Sequence, residues 1–171
     1  MYDVLILVSE QEKAKQLHTD DIIVLPINKK STDRKKFYFE FWPYINNTSG
    51  ILYKIFTKGG LGEFECGDEL FDFDYSQNVL KDNDIPYFLA NESDIIKDDL
   101  DSISLNASYK ESFSKVIQLL LSDSPIKTIM FLCRGQSHEK EIILGKININ
   151  KFLEMLAEGK IYTNVCYIVG E

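Results

Sequence analysis

The chain has 171 residues, 44% of them hydrophobic and 12% aromatic, and a net charge of −8. That length suits one domain with a sizeable core, and that much oily material excludes a disordered chain. The negative balance argues against nucleic acid and against an anionic membrane surface as direct ligands, since both are bound through Lys and Arg.

Tyr2 to Val8 is apolar on both alternating sets, Val4, Ile6 and Val8 against Leu5 and Leu7, which marks a strand covered on both faces. No basic region precedes this run, and it is too short for a secretion signal or a membrane span, so a soluble cytoplasmic protein is expected. The polar stretch from Glu10 to Asp21 reads as one or two helical turns. Ile22 to Ile27 is the next strand, with Pro26 placing its end near a sheet edge. Lys29 to Lys36 holds five basic residues and no apolar one, the composition of a solvated loop. Phe37, Phe39 and Phe41 alternate with Tyr38, Glu40 and Trp42 as a half-buried strand. Asn46 to Gly50 forms a turn and Ile51 to Thr57 the following strand. The glycines of Lys58-Gly59-Gly60-Leu61-Gly62 fit a hairpin turn better than a phosphate cradle, because no Lys-Ser/Thr pair and no helix pattern follow.

Leu61 to Ser104 carries the charge. Thirteen acids stand there against two lysines, a local balance of −11 in a chain of −8, so the rest of the molecule is slightly basic. Acidity gathered on one segment speaks of a partner more than acidity spread evenly does. From Asp68 to Tyr75, strand alternation sets Glu69, Phe71, Phe73 and Tyr75 on one face and Asp68, Leu70, Asp72 and Asp74 on the other, with Asp72 and Asp74 turned to water. Glu92 to Ile103 has helical spacing, Ile96, Leu100 and Ile103 inward, and Asp94, Asp98 and Asp101 on the opposite face. Like charges at those intervals repel by a few tenths of a kcal/mol, roughly, per pair. A solvated face is the ordinary explanation of such a stripe, and a partner surface the functional one.

Ser108-Tyr109-Lys110-Glu111 fits a capping box that opens a helix with Tyr109, Phe113, Val116, Ile117 and Leu120 on its core face, ending before Pro125. Ile126 to Cys133 and Glu141 to Ile149 are strands. Asn150 caps a short helix, Lys151 to Glu158, stopped by Gly159, and Ile161 to Val169 closes the chain as a strand. The expectation is a single α+β domain over residues 1–171, a mainly antiparallel sheet with helices packed on one face, and one parallel pair in the concluding β–β–α–β unit.

Chemistry is sparse. Cys66, Cys133 and Cys166 lie alone in apolar runs, reduced core thiols rather than disulfide partners. An EF-hand loop from Asp72 would need Gly where Gln77 stands and Glu where Asn83 stands, and a loop from Asp82 puts Pro86 at a ligand position. A looser divalent site at Asp72 and Asp74 competes with two solvated aspartates. No spacing suits zinc. Cys133 with His138 as nucleophile and base is unconstrained across a strand end, and a buried Cys beside a loop His explains both. Glu158-Gly159-Lys160 matches the Glu-x-Lys of metal-dependent nucleases, yet it falls on a helix end. No catalytic residue, cofactor or metal is assigned.

The C-terminal stretches PIKTIMFLCRGQ (125–136) and GKININKFLEMLAEGKIYTNVCYIVGE (145–171), in a single acidic α+β domain, resemble the ends of small immunity proteins of bacterial polymorphic-toxin and contact-dependent-inhibition systems. The resemblance implies tight binding to one cognate toxin, often a nuclease with a basic cleft. The charge pattern independently assigns Asp68, Asp72, Asp74, Asp94, Asp98 and Asp101 to a surface for a basic protein, with Tyr75 or Tyr87 as an aromatic anchor. Two other readings stand beside it: a regulatory or adaptor module for a different basic protein, and an enzyme with a carboxylate site.

Overall fold

The computed structural model describes residues 2–27, 43–60, 67–74, 101–135 and 142–171. The central strand is the one whose two alternating sets are both apolar. Strand β1 (Tyr2–Ser9) pairs antiparallel with β4 (Gly50–Thr57) on one side and β7 (Thr128–Gly135) on the other. Beyond β4 lie β3 (Ile22–Ile27) and the two-residue β2 (Leu17–His18). Beyond β7 lie β10 (Val165–Gly170), antiparallel to it, and β8 (Ile142–Asn148), which runs parallel to β10. The sheet order is β2-β3-β4-β1-β7-β10-β8. The fold is α+β with a mainly antiparallel mixed sheet, and the expected parallel pair is β8 with β10.

Both faces of that sheet are buried. Val4, Ile6, Val8, Ile129, Phe131 and Tyr167 face the larger cluster, where helix α2 (Lys110–Asp123) contributes Phe113, Val116, Ile117 and Leu120. Helix α3 (Ile149–Ala157) adds Phe152, Met155 and Leu156 to the same cluster. Leu5, Leu7, Leu52, Met130 and Leu132 form the cluster on the reverse face, to which the five-residue α1 (Pro43–Asn47) adds Ile45. The two long helices thus share one face, as expected, while α1 sits on the other. The reverse face also buries charge: Asp3 pairs with Lys54 at 3.0 Å, and Arg134 opposite Asp3 is 1% exposed.

A second, three-stranded sheet has the order β5-β6-β9, from β5 (Phe71–Asp74), β6 (Ser102–Leu105) and β9 (Ile161–Tyr162). Its inner residues Phe71, Ile103 and Ile161 join the larger cluster. Rings knit the layers together. Phe131 of the large sheet lies 6.1 Å from Phe71 of the small one, 6.3 Å from Phe113 of α2 and 5.1 Å from Phe152 of α3.

Several boundaries differ from those expected. Glu10 to Asp21 contains no helix; it holds β2, and Thr19 Oγ1 accepts from the Ile22 N–H at 2.9 Å to close a tight turn into β3. The capping residue of the α2 region is Asn106, whose Oδ1 accepts from the Ser108 N–H at 3.0 Å ahead of a 3-10 turn (Ala107–Tyr109). For α3 it is Asn148, not Asn150, with Oδ1 accepting from the Asn150 N–H at 2.8 Å. The expected last strand is two strands in two sheets, broken where Asn164 takes φ 60°. The loop 29–36, the aromatic strand 37–42, Cys66 and the stretch around Tyr87 lie outside the described residues, while Cys133 and Cys166 are buried and free of disulfides.

Candidate functional site

The small sheet is held against the large one by backbone geometry. Gly67 donates its N–H to the Tyr2 carbonyl at 3.1 Å, and a methyl group there would fall 2.3 Å from Val4 Cγ2, so only glycine lets the chain pass this close to β1. A 3-10 turn (Asp68–Leu70) follows and interrupts the expected alternation. Leu70, expected on the water face, is buried, whereas Glu69, expected beside the aromatics, is exposed and accepts from Thr57 Oγ1 at 2.7 Å. From Phe71 onward the alternation holds: Phe71 is buried and Asp72 exposed.

In β5 and β6, Asp72 stands opposite Ser104 and Asp74 opposite Ser102. Directly opposed residues project on the same face, so two carboxylates and two hydroxyls form one row. At one end of that row comes the C-terminus of α3. Lys160 donates its N–H to the Met155 carbonyl at 2.8 Å and Gly159 to Leu156 at 3.4 Å, the Schellman pairing, with Gly159 at φ 68°. The Ser102 hydroxyl donates to the Gly159 carbonyl and fastens the helix end to the strand.

Between these elements is a depression of about 260 Å³, bordered by Asp72, Asp74, Ser104 and Glu158 with Ala157 and Gly159 at its helical side. Its character is negative from two sources, the carboxylates and the carbonyl end of a helix. Glu158 is partnered by Lys160 at 2.8 Å, both side chains being over two-fifths exposed. The hydrogen bond and positive charge of Lys160 hold the Glu158 carboxyl below the usual carboxylate range. It therefore stays ionised in mildly acidic solution.

The expected acidic residues are placed as follows. Asp72 and Asp74 border the depression, Asp72 exposed and Asp74 half-buried. Asp68 opens the 3-10 turn before them. Tyr75, Asp94 and Asp98 lie outside the described residues. Asp101 is corrected: the helix expected from Glu92 to Ile103 does not extend through its end, because Ser102–Leu105 is strand. Asp101 lies just before it, with its N–H donating to Thr163 Oγ1 at 3.0 Å and its carbonyl accepting from the Thr163 N–H at 2.9 Å. Its carboxylate accepts from the Tyr2 hydroxyl. That carboxylate is engaged inside the molecule, where the stripe reading had it turned to solvent.

In the sequence Glu158 stands out as the end of a short helix and the start of Glu-x-Lys, and nothing in its spacing joins it to Asp72, 86 positions away. Among the described residues, no three Asp, Glu, His or Cys side chains are grouped so as to hold a metal ion, and no helix is long and apolar enough to cross a membrane. Against protein families, curated proteins and solved structures, the chain finds no match.

Proposed function

We propose that the chain is a protein-binding module that receives a basic partner at the acidic depression between β5, β6 and the end of α3. The partner most in keeping with its C-terminal resemblance to immunity proteins is a toxin domain, held inactive by tight binding. The observation that carries this reading is the grouping of Asp72, Asp74 and Glu158 around one opening. An exposed negative cluster steers a basic protein during encounter and selects it by charge complementarity. A basic cleft evolved to hold phosphates is a natural target for such a surface.

Co-expression tests it. The expected partner is a basic C-terminal domain of a large secreted protein encoded beside this chain's gene. Cells expressing that domain should survive only when this chain is present, and the two should elute together from a sizing column. No rescue together with no complex removes the toxin reading. A stable complex without toxicity favours the adaptor reading instead.

A further inference from the structure

We draw no further inference here: the strongest candidate, the acidic depression between β5, β6 and the C-terminal end of α3, belongs to the site already described, and no bound group or unpartnered buried side chain among its described residues shows which ligand fills it.

Discussion

Tyr2 does two jobs at the start of the chain. Its ring stacks on Phe73 with centroids 4.6 Å apart, and its hydroxyl donates to Asp101. It thereby ties β1 to both strands of the β5–β6 pair, at the end where Asp74 stands opposite Ser102. Tyr2→Phe keeps the stack and removes the donor. It should cost about 1 kcal/mol, less than is usual for a bond to a charged group, because Asp101 is half-exposed and water replaces the hydroxyl. Chemical denaturation checks this, and an unchanged stability of Tyr2→Phe would assign the role to something other than the hydroxyl. Asp21 offers a pH test. A hydrogen bond from Ser112, helped by one from Thr19, holds its carboxyl below its ordinary 3.8. A depressed folded value means that the stabilisation is complete above pH 3.8 and disappears as pH falls through the folded value. The stability gap between the native chain and Asp21→Asn should therefore narrow in strong acid; a gap independent of pH would contradict the assignment.

At the level of elements, legibility followed burial. Strands β1, β4 and β7 are legible because each is a nearly continuous apolar run, β8 because Ile142, Ile143, Leu144 and Ile147 outweigh Gly145 and Lys146, and α2 because Phe113, Val116, Ile117 and Leu120 recur at helical spacing. The misreadings fall where a single hydrogen bond or a positive φ decides. Thr163 and Asn164 lie within what looks like one strand from Ile161 to Val169. Yet the Asn164 N–H donates to the Cys133 carbonyl at 2.7 Å and its Oδ1 accepts from the Gly135 N–H at 2.9 Å, contacts with residues 29 to 31 positions away. No local pattern announces them. The same applies to the helix end at Gly159, legible as a stop signal but not as a wall of the depression. Phe131 is the residue through which four elements touch, so Phe131→Ala should be far costlier than any surface change. Roughly 3–5 kcal/mol is expected for truncating a buried aromatic of this kind. Urea denaturation measures it, and a cost near that of an exposed substitution would show that the ring chain does not hold the two sheets together.

For the whole molecule, charge is the organising fact, and the sequence displayed its sign and its segment without its geometry. Helical spacing sets Asp94, Asp98 and Asp101 in one stripe, whereas Asp101 stands at the mouth of a strand with its carboxylate on Tyr2. Asp72 and Asp74 are legible as neighbours on one face, since period-two alternation is a property of any strand. Glu158 joins them only through the tertiary fold, by way of the Schellman turn and the Ser102 bond. The acidic surface supported by the described residues is thus smaller than the segment, and it draws on a part of the chain that the charge count had passed over. Association through such a surface should weaken with added salt, because exposed charges are screened over about 10 Å at ~0.1 M ionic strength.

The most direct measurement is calorimetric titration of the neighbouring-gene C-terminal domain, in a catalytically inactivated form, into this chain and into its Asp72→Lys/Glu158→Lys variant. The account predicts that the native chain binds, and that the reversed charges weaken binding by about tenfold or more, roughly 1.4 kcal/mol at least. The variant should retain its thermal midpoint, since both positions are solvent-facing. Equal affinity of the two chains at low salt, with both folded, would contradict it.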